Sequence, residues 1–491
     1  MTLGELIDQV GDARIHGDSG VTITGVAIDS RRVREGDAFV AVPGTLADGH
    51  DYVADAIARG ANAVVVECAP DEVDVPVVVT KSTARAAALL AARINGNVAD
   101  RLRLFGCTGT DGKSSTSWIL RSILDRPAHG SFGLIGTLGW GENELHPSTH
   151  TTPDPVTLHT MLAQMESAGC VGVVMEVSSH AVRQHRTWGL DFEVGILTNV
   201  THDHLDYHHG FSDYRDAKET FCRSLTGTRR RGREGTLVYW KNDPVAREIG
   251  EASAGRSVSV GTNDRADAYV DNVSRSWKGT SMVLHLPDTG SIAVTTPMAG
   301  AFVDTNACLA GTAAHVAGAS AGAIRDGIAR LSRIPGRFET LGGSNAPVVV
   351  IDYAHTPTAF ENTLALCRNF GARRLITVFG CGGDRDREKR PMMGEIAVRL
   401  SDECIITTDN PRRESVGAIN AEILDGISEG RKVTVEPDRA AAIRRAIEGA
   451  NVGDVVALLG KGHENYQWIG DEKVPFSDRD EASAVLGEMD R

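Results

Sequence analysis

The segment Gly106-Cys-Thr-Gly-Thr-Asp-Gly-Lys-Ser-Ser115 has the residue types and spacing to hold a polyphosphate. It follows the apolar run 102–105 and opens a helical pattern over 116–124. A strand, a Gly-rich turn and a helix start, in that order, aim backbone N–H groups at an anion. Gly109 and Gly112 permit close approach, Lys113 adds a point charge, and Ser114 offers a hydroxyl to Mg²⁺. The strict phosphate-loop pattern wants Gly at the position of Cys107, so this is a variant.

Two further constellations could bind a metal. Glu176 closes an apolar run in Met175-Glu-Val-Ser-Ser-His180. A carboxylate there can coordinate Mg²⁺, a hard cation, or simply be buried and satisfied by backbone donors. His204 lies in the His-rich turn Asn199-Val-Thr-His-Asp-His-Leu-Asp-Tyr-His208. Imidazoles suggest zinc, but the neighbourhood supplies carboxylates and a lysine instead of a compact His or Cys set. His202, His208 and His209 read as surface or hydrogen-bonding residues. Lys218, in Tyr214-Arg-Asp-Ala-Lys-Glu-Thr-Phe221, shares a helical face with Tyr214, Ala217 and Phe221. By itself it reads as a solvated helix lysine.

The elements that position these groups have an α/β rhythm. Short β-rich runs (21–28, 38–42, 63–67, 75–79) with helical stretches at 52–59 and 83–94 fill residues 1–98, ending at Asn95-Gly-Asn97. From 99 to 335, strands at 103–107, 172–177 and 194–198 alternate with helical patterns, as in a mostly parallel sheet. Each ends in polar residues, where ligands of open α/β sheets gather. Ile334-Pro-Gly-Arg-Phe338 reads as a hinge. Residues 336–491 repeat the rhythm: strands at 348–352, 375–380, 404–408 and 455–460 run into Tyr353-Ala-His355, Cys381–Asp386, Asp409-Asn-Pro-Arg412 and Lys461-Gly-His-Glu464. The expectation is α/β in three domains: a small N-terminal domain, a central phosphate-loop ATPase domain and a Rossmann-like C-terminal domain.

Length and composition agree. The 491 residues suffice for about three cores. Lys plus Arg total 51 against 65 Asp plus Glu, a net charge of −14, which argues against nucleic-acid or anionic-membrane binding. The apolar runs are too short to cross a bilayer, and the N-terminus carries no signal-peptide pattern. Eight cysteines without a CxxC pair fit a reducing cytoplasm.

With these motifs in this order, nearly the whole chain resembles the Mur ligases of peptidoglycan synthesis, most closely the branch that adds the third peptide residue. The resemblance rests on Gly109–Ser115, Glu176–His180, Asp203-His-Leu-Asp206, Ala217-Lys218, Pro335-Gly-Arg337, Asp352-Tyr-Ala-His-Thr-Pro357 and Gly380–Arg390. Asp111 stands where the family has Asn, Thr358 where it has Asp, and His150 where it has Asn. The resemblance implies that Gly109, Thr110, Asp111, Gly112, Lys113, Ser114 and Ser115 hold the phosphates of ATP. It places Asn306 at adenine, Arg337 at phosphate, Asp352 at ribose and His355 nearby. Ser114 and Glu176 would sit near one Mg²⁺ and His204 near a second. Lys218 would be carbamylated by CO₂ to N6-carboxylysine, an oxygen ligand, which demands a lowered amine pKa.

The same resemblance assigns Asp29-Ser30-Arg31, Gly36-Asp37 and Asp48-Gly-His50 to uridine. Thr151, Thr152, Ser178, Gln184 and Arg186 would contact the muramoyl dipeptide. Arg385, Asp409, Asn410, Arg412, Gly460 and Glu464 would contact the incoming amino acid. Arg412 can pair bidentately with a second carboxylate, which meso-diaminopimelate has and L-lysine and L-ornithine lack. The implied reaction joins meso-diaminopimelate to UDP-MurNAc-L-Ala-D-Glu through an acyl phosphate, with ATP and Mg²⁺, in a cytoplasmic monomer. L-lysine or L-ornithine as acceptor, a folylpolyglutamate synthetase-like ligase and a non-catalytic nucleotide-binding scaffold are the alternatives.

Overall fold

The computed structural model describes residues 1–45, 47–70, 73–126, 130–203, 207–226, 234–428 and 430–489. The chain divides into two compact units, 1–269 with 309–324, and 270–308 with 325–491.

The first unit begins with a five-stranded sheet ordered Arg14–His16, Val77–Val79, Ala63–Val66, Asp37–Val40, Gly25–Ala27. All neighbours are parallel except the first pair. The run expected at 21–28 yields a strand only over Gly25–Ala27. Val21 and Ile23 instead use backbone groups on the N-terminus: Leu3 N donates to Val21 O, and Ile23 N donates to Met1 O. The helix Thr83–Ile94 has the expected bounds and starts on a Ser82 side-chain cap. Asn95-Gly-Asn97 turns the chain, with Gly96 and Asn97 at positive φ.

The parallel core of the next sheet runs Arg256–Gly261, Thr236–Trp240, Phe192–Leu197, Arg103–Thr108, Cys170–Glu176, Ser131–Gly136. Parallel pairing places all their carboxyl ends along one edge. The Gly-rich loop therefore lies between the end that leads to Asn199 and the end that carries Glu176. Ser131–Gly136 has no counterpart among the expected strands. An interior and a terminal glycine hid it, and Gly133 is required because a Cβ there would lie 2.4 Å from Met165 Sδ.

The second unit holds a six-stranded sheet ordered Glu339–Gly342, Val348–Asp352, Val455–Leu459, Leu375–Phe379, Glu403–Ile406, Val433–Val435, parallel after the first pair. Leu375–Phe379, Glu403–Ile406 and Val455–Leu459 are buried throughout, which explains why they are mostly apolar on both faces. The unit also contains an antiparallel hairpin, Gly279–Leu286 with Gly290–Thr296. Arg439 and Asp478 form a bidentate pair at 2.6 Å, both side chains 0 % exposed. Arg439 also donates to Leu459 O and Thr408 O, tying two strand ends together. Asp478→Ala leaves a buried charge with no counterion. It should cost about 3–5 kcal/mol in the urea unfolding transition of this unit.

Candidate active site

In the first unit the Gly-rich loop joins the end of Arg103–Thr108 to the start of Lys113–Leu124, the strand–turn–helix geometry that can hold an anion. Gly112 takes φ +83° as the N-cap of Lys113–Leu124, so the helix begins three residues earlier than its apolar pattern suggested. Gly109 takes φ +148°, and a Cβ there would fall 1.8 Å from Thr198 Oγ1. Thr198 Oγ1 and Asn199 Nδ2 donate to Asp111 O, and Asp111 N donates to Asn199 Oδ1. The backbone of residue 111 does this holding, so Asp in place of Asn keeps the loop intact. Thr110 Oγ1 lies 2.9 Å from Tyr214 Oη.

Lys113 Nζ donates to Gly109 O at 3.1 Å and Thr110 O at 2.8 Å. Lys218 Nζ donates to the same Gly109 O at 2.7 Å. Lys218 is 1 % exposed, so it is not a solvated helix lysine. Burial, reinforced by the Lys113 charge, holds its amine well below the ordinary lysine range. It stacks 4.4 Å above the Tyr214 ring.

Glu176 ends its strand 1 % exposed. Ser114 Oγ donates to Oε2 at 3.0 Å, Thr137 N to Oε1 at 2.9 Å and Thr137 Oγ1 to Oε2 at 3.2 Å. This carboxylate is satisfied by one backbone amide and two hydroxyls. Hydroxyls can turn to offer lone pairs, so the donor set is hard oxygen and suits Mg²⁺. His204 lies outside the described residues.

The residues assigned to the muramoyl dipeptide join this network. Thr151 Oγ1 meets Thr137 Oγ1 at 3.0 Å. Thr152 Oγ1 donates to Glu176 O at 2.8 Å and receives Ser178 N at 3.0 Å. Arg186 donates to Thr152 O and twice to Gln184 Oε1, and Gln184 donates to Tyr207 Oη. In the N-terminal sheet's loops, Asp29 caps the short turn Ser30–Arg32, with Ser30 buried. Thr137 and Tyr207 were not picked out from sequence. Thr137 follows the unrecognised strand, and Tyr207 carries no motif of its own.

The second unit brings Arg337, Asp352 and His355 together. Asp352 accepts Phe338 N at 2.6 Å and Ala354 N at 2.8 Å; burial pushes its carboxyl up, against the pull of Arg337. Arg337 lies 5.0 Å over the Tyr353 ring, and His355 Nδ1 is 2.8 Å from Tyr353 O. Gly336 sits at φ +63°, where a Cβ would be 2.1 Å from His463 N. Asn306 stands on another element, buried near the start of Val303–Val316.

The remaining strand ends form a polar cluster. Asn410 Nδ2 donates to Glu464 Oε2 at 2.7 Å. Gly460 packs against Asp409, since a Cβ there would lie 2.6 Å from Asp409 Oδ2. Arg412 takes φ +51° and donates from Nη1 to Gly383 O at 2.7 Å. Burial, followed by the nearby Arg385 charge, lowers the Arg412 pKa. Arg390, 0 % exposed, pairs with Glu414 and Glu422 and shapes the loop after Phe379.

Three family models match consecutive stretches of the chain: the Mur ligase family catalytic domain over 22–104, the Mur ligase middle domain over 107–314, and the Mur ligase glutamate ligase domain over 336–462. A relative from Geobacillus thermodenitrificans named UDP-N-acetylmuramoyl-L-alanyl-D-glutamate--2,6-diaminopimelate ligase is 39% identical over 99% of this chain and 100% of its own length. The chain belongs to the Mur ligase family. A solved structure of a ligase with that same name superposes on this Mur ligase with TM-score 0.71 at 29% identity, covering 100% of this chain and 99% of the other. Mycobacterium tuberculosis folylpolyglutamate synthase reaches TM-score 0.62 at 17% identity over 77% of this chain and 92% of its own. That second likeness is one of fold alone.

Glu414 yields a pH prediction. Hydrogen bonding from Arg390 lowers its pKa to about 2, below the unfolded value near 4.3. A depressed carboxylate stabilises fully above the unfolded pKa and loses that contribution as pH falls through the folded one. The stability gap between wild type and Glu414→Gln in urea titrations should therefore be constant above about pH 5 and close toward about pH 2. A gap independent of pH would remove the Arg390 pairing as its cause.

Proposed function

We propose that this Mur ligase joins meso-diaminopimelate to the D-glutamate carboxylate of UDP-N-acetylmuramoyl-L-alanyl-D-glutamate, with ATP as the energy source. The observation that carries the reading is the match of essentially the whole chain to ligases of that name. The geometry supports it with a phosphate-type loop and a buried lysine on the same carbonyl.

A carboxylate is a poor electrophile because its charge repels an incoming amine. Transfer of the ATP γ-phosphoryl group converts it to an acyl phosphate. The amine then attacks, and phosphate leaves from the tetrahedral intermediate. Lys113 and the amides of Gly109–Ser115 stabilise charge on the transferred group. We assign Asn306, Arg337, Asp352 and His355 to the nucleotide. Ser30, Thr151, Thr152, Ser178, Gln184 and Arg186 take the UDP-sugar dipeptide.

Lys218, held neutral by burial, can react with CO₂: its nitrogen bonds to carbon, a proton is released, and a carbamate remains. That group, Glu176 and Ser114 would hold Mg²⁺, with His204 at a second ion. Mg²⁺ supplies neutralisation of phosphate charge when bound. At the acceptor, Arg412 meets the second carboxylate of the diamino acid, with Arg385, Asp409, Asn410, Gly460 and Glu464 around it. We divide the chain into a nucleotide-sugar domain, 1–98, an ATP domain, 99–335, and an amino-acid domain, 336–491, the last of which also carries Arg337, Asp352 and His355. The cysteine spacing supports a cytoplasmic setting.

Phosphate release should require ATP, Mg²⁺ and the UDP-dipeptide together, with meso-diaminopimelate the best of a panel of diamino acids. A strong preference for L-lysine would end the reading of Arg412. Lys218→Ala should lose at least ~100-fold in kcat, with no recovery in bicarbonate. Turnover near wild type in that variant would remove the carbamate from the mechanism.

A further inference from the structure

Lys461 is 0 % exposed, in the loop after Val455–Leu459, and has no part in the chemistry above. Its Nζ donates to Tyr466 O at 2.6 Å, Glu464 Oε2 at 3.1 Å and Asn410 Oδ1 at 3.2 Å. An ammonium has three N–H groups, and all three are used within the protein. Lys461 therefore has no donor left for a ligand. What it does is orient two side chains that can touch one.

Asn410 Oδ1 accepts from Lys461 Nζ and from Trp468 N at 2.9 Å. Two donors on one atom identify it as the carbonyl oxygen and forbid the flipped amide. Nδ2 must then donate, and it reaches Glu464 Oε2. That oxygen also takes Lys461, while Glu464 Oε1 accepts no hydrogen bond among the described residues. One carboxylate oxygen is thus fixed, and the other is left for a cation. The bond to Tyr466 O also anchors the hairpin Tyr466–Ile469 with Glu472–Pro475. That hairpin clamps Arg412: Arg412 N donates to Trp468 O at 2.9 Å and Gly470 N donates to Arg412 O at 2.8 Å.

We propose that Lys461 is a positioning residue of the acceptor site: it fixes Glu464 and Asn410, and through the hairpin Arg412, in the one arrangement that reads the charged groups of a diamino acid. The proposal rests on the function proposed above and deepens it. Glu464 Oε1 receives an ammonium of the acceptor, and Lys461 keeps Glu464 ionised to do so. The charged and titratable groups facing Glu464 are Lys461, Asp409, Arg412, Arg439, Tyr353 and Tyr466. Burial, and then Asp409, push the Glu464 carboxyl up; Lys461 opposes both. Without Lys461 the carboxyl would be protonated over a higher pH range and would lose its attraction for an ammonium.

The test is steady-state kinetics of the full chain with each substrate varied in turn, for wild type, Lys461→Met and Glu464→Gln. Lys461→Met should raise the KM for the diamino acid ~30-fold while the KM values for ATP and the UDP-dipeptide stay within about twofold. Measured against wild type at each pH, that excess should shrink as pH rises and Glu464 re-ionises. Glu464→Gln should show the same selective KM rise with no recovery at high pH, and it decides the matter should Lys461→Met not fold. Three KM values rising together, a Lys461→Met excess that ignores pH, or wild-type acceptor KM in Glu464→Gln would each overturn the proposal. A wild-type enzyme that releases no phosphate with any diamino acid would instead defeat the proposed function itself.

Discussion

Two lysines converge on the carbonyl oxygen of Gly109, and the first unit is arranged around that convergence. Like charges so close, one of them sealed from water, cannot both be held at ordinary cost. Desolvation resolves the conflict by favouring the neutral amine of Lys218. The carbonyl sits where it does because Gly109 has no side chain to strike Thr198. The loop also hangs between two parallel strands whose ends carry Asn199 and Glu176. Shift the register of Cys170–Glu176 by one residue and the carboxylate points to the other face of the sheet.

The same design recurs in the second unit with different residues. Parallel strands deliver Tyr353, Gly460, Cys381 and Asp409 to one edge, and a buried cation stands behind them. Lys461 saturates its three donors on Asn410, Glu464 and Tyr466, and Arg439 commits four of its five to Asp478, Thr408 and Leu459. Buried charges of this kind are costly unless every donor is satisfied. Here both cations bond to strand-end carbonyls or loops, so the electrostatic requirement also fixes the geometry of residues left for a ligand.

The sequence made the loops legible because their chemistry is local. Gly109–Ser115, Glu176–His180 and Asp409–Arg412 each announce a turn, a strand end and a set of polar groups within a few residues. The helical stretch at 83–94 was equally plain, and the structure returns it with the same bounds. Less legible were the partners. Thr137 reaches Glu176 across 39 residues, and Asn410 reaches Glu464 across 54. No short pattern encodes such pairings. The strand Ser131–Gly136 was missed because glycine serves there to admit a Met side chain, not to break the chain.

Alone, then, the order of residues determined the α/β alternation, the position of each polar strand end and the membership in an ATP-using ligase family. Tertiary structure decided the state of the groups found there. Lys218 reads as a solvated lysine until helix, loop and strands close over it, and the hairpin that grips the backbone of Arg412 is visible only in the fold. The reason is physical: spacing along the chain sets which groups are available. Protonation and orientation depend on how much water the rest of the fold excludes from them.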